Sequence, residues 1–167
     1  PDLKNKTVLV TGGSMGIGEA TVKAFLEEGS KVISFDIKPP KKPLENVIYK
    51  NVDVSNSEQV KNAITNIKNE VGNINIVVNN AGIEKYAPVH LLKEEEWDEI
   101  MDVNVKGAFL VSKYTIPMML AEKKGVIINV ASVQSFAITK NAAAYVTSKH
   151  ALIGLTKSIA LDYAPYI

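Results

Sequence analysis

The sequence contains no cysteine, which excludes disulfide bridges and thiolate metal sites. It has only two histidines, His90 and His150, so few imidazoles are available as metal ligands. We therefore expect no bound metal. His90 falls in a predicted connection and His150 points to a different helix face from its neighbour Lys149, so neither is expected to act in catalysis.

Arginine is also absent, since all 19 basic residues are lysines. A bound anion must then be held by backbone amides, hydroxyls or ammonium groups. The net charge of +1 and the scattered lysines argue against nucleic-acid binding and favour a small-molecule partner. The apolar run Thr7 to Thr11 is too short for a signal-peptide core or a membrane span, so we expect a cytoplasmic protein.

Short β-branched runs alternate with longer helical patterns along all 167 residues. The predicted strands, each apparently buried on both faces, are Thr7 to Thr11, Lys31 to Asp36, Val47 to Val52, Ile74 to Asn79 and Val126 to Ala131. The predicted helices are about Gly16 to Glu28, Ser57 to Val71, Glu94 to Glu122 and Ala142 to Tyr163. This alternation predicts one α/β domain over residues 1–167, a doubly wound parallel sheet of Rossmann type with strand order 3-2-1-4-5 in three αβα layers.

The last two predicted helices are apolar around most of their circumference. In the first, the apolar residues are Trp97, Ile100, Met101, Val103, Val105, Phe109, Leu110 and Val111. A helix that covers a sheet needs only one apolar stripe. The apolar residues outside that stripe are therefore buried either deep in one subunit or against a second subunit. We favour the second alternative and expect a homodimer or homotetramer formed through helices 94–122 and 142–163.

A glycine-rich turn, Thr11-Gly12-Gly13-Ser14-Met15-Gly16-Ile17-Gly18, joins the first predicted strand to the first helix. Gly12 permits a tight turn, and Gly16 lets backbone amides approach a pyrophosphate. Gly18 allows the helix to pack closely on the strand, and the helix N-terminus favours phosphate charge. The spacing is G-x-x-x-G-x-G instead of G-x-G-x-x-G, and a glycine cluster alone is also typical of a purely structural turn.

Asp36 ends the second predicted strand, 18 residues after Gly18. An acidic side chain at this place can accept hydrogen bonds from the adenosine ribose hydroxyls and would repel a 2′-phosphate. With no arginine to bind that phosphate, the sequence favours NAD over NADP. Lysines 38, 41 and 42 could still attract a phosphate, so NADP stays possible, and Asp36 could instead be a turn residue that ends the strand.

In order and spacing these features resemble the short-chain dehydrogenase/reductase family, whose cofactor turn is Thr-Gly-x-x-x-Gly-x-Gly. Asp53-Val54 matches the family's adenine-bordering pair, and Asn79-Asn80-Ala81-Gly82 matches its mid-chain motif. The resemblance covers the whole chain, and the cofactor contacts it implies are Gly12, Ser14, Met15, Gly16, Ile17, Gly18, Asp36, Asp53, Val54, Asn80, Ala81, Gly82, Tyr145 and Lys149. Taken alone, Asn79 and Asn80 are also consistent with residues that cap the sheet, and Asp53 with a residue that begins a turn.

Tyr145 and Lys149 are four residues apart at the start of the last predicted helix and so share one face. A phenol is a poor base at neutral pH, but a nearby ammonium and an oxidised nicotinamide favour the phenolate, which can take a proton from an alcohol. Without the resemblance, a half-buried tyrosine beside a solvated lysine is the simpler interpretation. The resemblance implies that Tyr145 is the acid/base, that Lys149 also holds the nicotinamide ribose, that Ser132 binds the substrate oxygen, and that Asn104 holds a water in a proton relay.

Family members normally continue past Ala164-Pro165 into two more strands and a substrate lid. The resemblance therefore implies that this chain is C-terminally incomplete and lacks the family's last two strands.

Glu84 and Gln134 follow predicted strand ends, where ligands collect in such sheets. A carboxylate and an amide suit a polyol better than a fatty chain, although Glu84 could be a solvated loop charge. The stretches Asn79 to Glu84 and Val133 to Pro165 resemble aldose dehydrogenases of the D-aldohexose (glucose 1-dehydrogenase) type, which oxidise the anomeric carbon to a lactone. Tyr145, Ser132, Glu84 and Gln134 are thus the predicted substrate contacts. The alternatives are a 3-oxoacyl or other ketone reductase and, in another class, a dinucleotide-binding regulator without catalysis.

Overall fold

The computed structural model describes residues 3–167, which form a five-stranded parallel sheet in the order β3-β2-β1-β4-β5. The strands are β1 (Thr7–Thr11), β2 (Lys31–Asp36), β3 (Val47–Asn51), β4 (Ile76–Asn79) and β5 (Val126–Asn129). The predicted strand order is confirmed. The predicted ends of β1 and β2 are also confirmed, whereas β3, β4 and β5 are one or two residues shorter than predicted.

Helices cover both faces of the sheet, as a doubly wound fold requires. They are α1 (Gly16–Glu27), α2 (Ser57–Glu70), α3 (Glu94–Met101), α4 (Gly107–Glu122) and α5 (Ala143–Tyr163). Successive side chains of a strand point to opposite faces, and β1 shows this directly. Leu9 packs in the core shared with α2 and α4, while Val8 and Val10 pack in the core shared with α1.

The prediction that every strand is buried on both faces is wrong for the two outer strands. β1 and β4 are buried along their whole length, but β3 is only partly buried and β5 exposes 48% of Val126 and 44% of Ile128. The cause is position, because each outer strand has a neighbour on one side only in the sheet formed by residues 3–167.

The predicted helical stretch Glu94 to Glu122 is confirmed in its bounds, but its middle is not α-helical. A five-residue π-helical segment, Asp102–Lys106, separates α3 from α4. Such a segment widens the turn, and π-bulges frequently occur at functional sites. Here it encloses Asn104, which is buried.

α4 buries most of its apolar residues within the chain, including Leu110 and Val111, whereas the buried apolar residues are Ile100 on α3 and Ala144, Val146 and Leu152 on α5. Some large apolar side chains nevertheless face outward, such as Phe109 on α4, which is 45% exposed, and Leu161 on α5, which is 84% exposed. Within residues 3–167, no helix has the length and apolarity needed to cross a membrane.

Candidate active site

The glycine turn between β1 and α1 depends on two residues that cannot carry a side chain. Gly12 has a φ of +66°, a left-handed conformation that L-residues rarely adopt. A Cβ atom on Gly18 would lie 2.0 Å from the Gly12 carbonyl oxygen and 2.6 Å from the Asn80 amide nitrogen. The first turn of α1 therefore lies directly against the end of β1, as the spacing predicts.

The outer side of this turn is open. Gly16, the first residue of α1, has a φ of +56°, and no atom lies within 4 Å of the position a Cβ would take. Met15 and Ile17 on either side are 68% and 70% exposed. An open turn at a helix N-terminus, flanked by exposed apolar side chains, fits a dinucleotide whose pyrophosphate meets backbone amides.

The residues that follow β4 are hydrogen-bonded to the same turn. The Thr11 hydroxyl accepts hydrogen bonds from the backbone N–H groups of Asn80 (3.1 Å) and Ala81 (3.0 Å). In return the Asn80 side-chain amide donates to the carbonyls of Thr11 (3.0 Å) and Gly12 (3.1 Å). The Asn80 amide group thus holds the turn in place. The next residues, Ala81 and Gly82, run on from this junction, and a Cβ on Gly82 would lie 3.5 Å from Lys149 Nζ.

Asp36 lies beside the glycine turn. Its carboxylate accepts hydrogen bonds from the backbone N–H of Ser14 (3.0 Å) and of Lys38 (3.1 Å), and the Ser14 hydroxyl donates to the Lys38 carbonyl (2.7 Å). These bonds join the turn to the connection after β2. They border a cavity of about 370 Å³ lined by Ser14, Ser34, Asp36, Lys38, Pro39, Pro40, Tyr49, Lys50 and Asn51. The structure therefore places a carboxylate and an ammonium-bearing residue beside the turn.

Asp53 and Val54 follow β3, and both also have structural roles. One Asp53 carboxylate oxygen accepts from the Ser55 N–H (2.9 Å) and the Ser55 hydroxyl (2.6 Å), which forms the turn into α2. Val54 is buried in the core and touches the place where a Gly107 Cβ would lie, 2.8 Å away. Contact of either residue with a cofactor stays a prediction.

Tyr145 and Lys149 lie together on the first turns of α5. Lys149 Nζ is 5.6 Å from the centroid of the Tyr145 ring and donates a hydrogen bond to the Val130 carbonyl (2.8 Å). Lys149 is buried, and the loss of solvent around its ammonium lowers the pKa of Lys149. The Tyr145 hydroxyl makes no hydrogen bond within residues 3–167, so the two groups share one neighbourhood while the phenol keeps its hydroxyl for other partners.

Asn104 connects the π segment to this pair. Its side-chain oxygen accepts from the Ile83 N–H (2.8 Å), and its amide donates to the Ile83 carbonyl (2.9 Å) and to the Ser148 hydroxyl (2.9 Å). Ser148 in turn donates to the Tyr145 carbonyl (2.7 Å). A buried amide thus ties the loop after β4 to the start of α5.

Ser132 lies just after β5, two residues beyond the carbonyl that Lys149 binds. Its hydroxyl caps a short 3-10 helix, Val133–Ser135, by accepting from the Gln134 N–H at 3.1 Å. The Ser135 hydroxyl donates to the Lys149 carbonyl (3.1 Å), which fastens this helix to α5. The Gln134 side-chain oxygen is buried and has no hydrogen-bond partner within residues 3–167, an uncommon state for a buried acceptor.

Glu84 is exposed but is not simply solvated. Its carboxylate accepts a hydrogen bond of 2.9 Å from the Tyr86 hydroxyl. This bond is the largest cause that raises the pKa of Tyr86. The nearby Gln134 amide acts against the rise, and the charge of Tyr145 adds to it. Glu84, Tyr86 and Gln134 therefore form a polar cluster near Tyr145, which we call the Glu84–Tyr86–Gln134 cluster.

Three residues of this site are absent from the sequence-based set: Thr11, Tyr86 and Ser148. Thr11 is the first residue of the matched turn motif. The sequence does not show that its hydroxyl accepts hydrogen bonds from Asn80 and Ala81, because those bonds depend on how β1 and β4 lie together. Tyr86 and Ser148 have no sequence signal, since a loop tyrosine and a helical serine are common. Within residues 3–167, no group of three or more potential metal ligands occurs.

The chain is similar in sequence and structure to one protein family and to three known proteins. The sequence profile of the family described as short chain dehydrogenase matches residues 6–167. The 3-oxoacyl-[acyl-carrier-protein] reductase FabG of Thermotoga maritima is 34% identical over 97% of this chain and 70% of that protein. The ligand-free aldohexose dehydrogenase of Thermoplasma acidophilum superposes with a TM-score of 0.95 and 51% identity, over 99% of this chain and 64% of that chain. A 4-hydroxyisoleucine dehydrogenase complexed with NADH gives a TM-score of 0.89 and 38% identity, over 95% of this chain and 70% of that chain.

Proposed function

Because the chain belongs to the short-chain dehydrogenase family, an oxidoreductase family that uses NAD(P), we propose that the complete protein is an NAD-dependent aldose dehydrogenase. It converts the C1 hydroxyl of a cyclic aldose to the carbonyl of an aldonolactone. The chain spans less than two thirds of the aldohexose dehydrogenase it resembles, so the proposal concerns the complete protein.

The Glu84–Tyr86–Gln134 cluster is the observation that favours a sugar as the substrate. A carboxylate, a phenol and an unpartnered buried amide oxygen lie near Tyr145. A polyol can donate to the second Glu84 carboxylate oxygen and to the buried Gln134 oxygen, whereas an acyl chain would leave the Gln134 oxygen without a partner at a cost of about 1–3 kcal/mol. The likeness to an aldohexose dehydrogenase at 51% identity supports the same choice.

In the proposed reaction the bond between C1 and hydrogen breaks, and its electron pair leaves as hydride. A bound oxidised nicotinamide supplies the hydride acceptor. Ser132 holds the C1 oxygen, and the Tyr145 phenolate takes the proton of the C1 hydroxyl, so the sugar loses two electrons and two hydrogens. Lys149 would place its ammonium beside the Tyr145 oxygen and the ribose of a bound cofactor, while Asn104 would hold a water that passes the proton onward.

We propose that the cofactor lies along the glycine turn. Gly12, Ser14, Gly16 and Gly18 would face the pyrophosphate, with Met15 and Ile17 beside it, and Asp36 would accept from the ribose hydroxyls. The pair Asp53-Val54 and the segment Asn80-Ala81-Gly82 would border the adenine and the nicotinamide half. Asp36 favours NAD, because a 2′-phosphate would lie against its charge.

A substrate screen tests the proposal. Aldoses, simple secondary alcohols and 3-oxoacyl compounds are each offered with NAD or NADP, or with their reduced forms, and turnover is followed by nicotinamide absorbance. We expect aldoses with NAD to react fastest. Faster reduction of 3-oxoacyl compounds would support the activity named for the Thermotoga relative instead. No turnover with any compound would support a regulator that only binds dinucleotides.

Replacing Glu84 with alanine should impair sugar oxidation selectively. Loss of hydrogen bonds between a carboxylate and sugar hydroxyls costs about 1.5–3 kcal/mol, or roughly tenfold or more in kcat/KM. A simple secondary alcohol should lose little, because it never formed those bonds. Glu28→Ala, at the far end of α1, is the matched control. If NAD binding falls while sugar oxidation is unchanged, Glu84 contacts the cofactor and not the sugar. If neither changes, it is a solvated charge.

We also propose a homo-oligomer formed through α3–α4 and α5. Phe109 and Leu161 support it, since they are large apolar side chains exposed on these helices. Phe109→Glu should shift the mass measured by light scattering toward that of a single chain, because the charge would be desolvated in the interface. Val89→Glu, on another exposed apolar residue, should leave the mass unchanged. An unchanged mass for Phe109→Glu would place the interface elsewhere.

A further inference from the structure

The loop after β4 is attached to the rest of the fold at every second residue. Ile83 exchanges two backbone hydrogen bonds with the Asn104 side chain, of 2.8 and 2.9 Å. Lys85 forms ion pairs with Glu99 (2.6 Å) and Glu96 (3.8 Å) on α3. The Ala87 N–H donates to the Asn141 carbonyl (2.7 Å), just before α5 begins. These three attachments fix the path of residues 83–87.

Glu84 and Tyr86 lie between the attachment points, and their side chains bind each other instead of the scaffold. The Tyr86 hydroxyl donates to one Glu84 carboxylate oxygen at 2.9 Å. The other carboxylate oxygen makes no hydrogen bond within residues 3–167. One oxygen of Glu84 is thus held in place, and the other can accept a bond from a ligand.

The Ala87–Asn141 attachment also sets the distance from this pair to the reacting groups. It lies four residues before Tyr145, and a bridge between Ala87 and Ala142 continues the contact. The hydrogen bond to Glu84 raises the pKa of Tyr86 from its ordinary value of 10.0. The charge of Tyr145 acts in the same direction, and the nearby Gln134 amide acts against both. Tyr86 is therefore protonated at neutral pH and can always donate to Glu84.

We propose that Tyr86 is a positioning residue that holds the Glu84 carboxylate in the orientation in which it meets the substrate hydroxyls. This inference rests on the proposed aldose oxidation. Tyr86 acts through Glu84, and of these two residues only Glu84 contacts the sugar. An exposed carboxylate would otherwise sample several rotamers, and fixing one of them in advance lowers the entropy lost when the sugar binds.

Tyr86→Phe tests the inference in the complete protein, because it removes only the hydroxyl. We expect the KM for aldoses to rise about three- to tenfold while kcat stays within about twofold, since ground-state and transition-state binding lose the same contact. The kinetics of a simple secondary alcohol should not change. Tyr114→Phe is the matched control, because the Tyr114 hydroxyl also makes one side-chain hydrogen bond, to Ser57 at 3.0 Å.

The double variant Glu84→Ala/Tyr86→Phe separates positioning from direct contact. If Tyr86 acts through Glu84, the double variant should match Glu84→Ala alone. Additive losses would mean that Tyr86 contacts the sugar itself, and a wild-type KM in Tyr86→Phe would mean that Glu84 needs no support. Equal losses for sugars and simple alcohols would show a general structural role. Each of these results overturns only this inference. If Glu84→Ala has no effect on sugars, or no aldose is oxidised, the proposed function fails and the inference fails with it.

Discussion

Tyr145→Phe should abolish most turnover and leave the protein otherwise intact. General acid–base catalysis contributes about 10²–10⁴-fold to a rate, and the substitution deletes only the proton-transferring oxygen. The structure predicts little effect on stability, because the Tyr145 hydroxyl makes no hydrogen bond within residues 3–167. Steady-state kinetics with an aldose and NAD measures the loss, and NADH fluorescence measures cofactor binding, which should change little.

The control for this variant is Tyr163→Phe, on the same helix but at its other end. It should retain wild-type kinetics. Turnover by Tyr145→Phe within a few-fold of wild type would remove Tyr145 from the acid/base role, and a parallel loss of NADH affinity would indicate a binding role instead.

Asp36→Ala should reduce the preference for NAD over NADP, and after Tyr145→Phe we expect it to have the largest effect of the proposed variants. The substitution removes an acceptor for the ribose hydroxyls and also the repulsion toward a 2′-phosphate. The affinity for NAD should therefore fall about tenfold or more, while the affinity for NADP falls much less. The ratio of kcat/KM for the two cofactors is the quantity to measure.

The structure adds a reason to examine Asp36→Asn as well. The Asp36 carboxylate also accepts from the N–H groups of Ser14 and Lys38, so alanine loosens the turn for either cofactor. Asparagine keeps one acceptor oxygen and removes the charge, so it should favour NADP with a smaller loss of NAD. Equal losses of NAD and NADP in Asp36→Ala would mean that the side chain serves only to hold the turn.

The fold was largely predictable from local patterns. β1 is rich in β-branched residues and ends before Gly12, β2 has an apolar stretch between Lys31 and Asp36, and the predicted ends of both strands agree with the structure. Gly18 could be assigned to close packing from its place in the turn alone, and its contact with the Gly12 carbonyl confirms that assignment. These features depend on residues near one another in the sequence.

Features that depend on distant contacts were not predictable. The apolar pattern through residues 94–122 is the same for a continuous α-helix and for one with a π segment, so the pattern reveals neither the π segment nor the bonds between Asn104 and the distant Ile83. The exposure of Ile128 depends on strand order, not on its own sequence. The proposed role of Tyr86 depends on the path of the loop after β4, which is set by contacts of Ile83, Lys85 and Ala87 with distant residues. The predicted catalytic and cofactor roles themselves stay predictions until the variants are measured.

Transfer of the C1 hydrogen tests the central claim most directly. An aldohexose deuterated at C1 is incubated with NAD and the complete protein, and the reduced nicotinamide and the sugar product are analysed by mass spectrometry. The proposed reaction predicts one deuterium in the reduced nicotinamide for each aldonolactone formed, together with a slower rate than for the undeuterated sugar if hydride transfer limits turnover. Reduced nicotinamide without deuterium, or a product oxidised at another carbon, would contradict it.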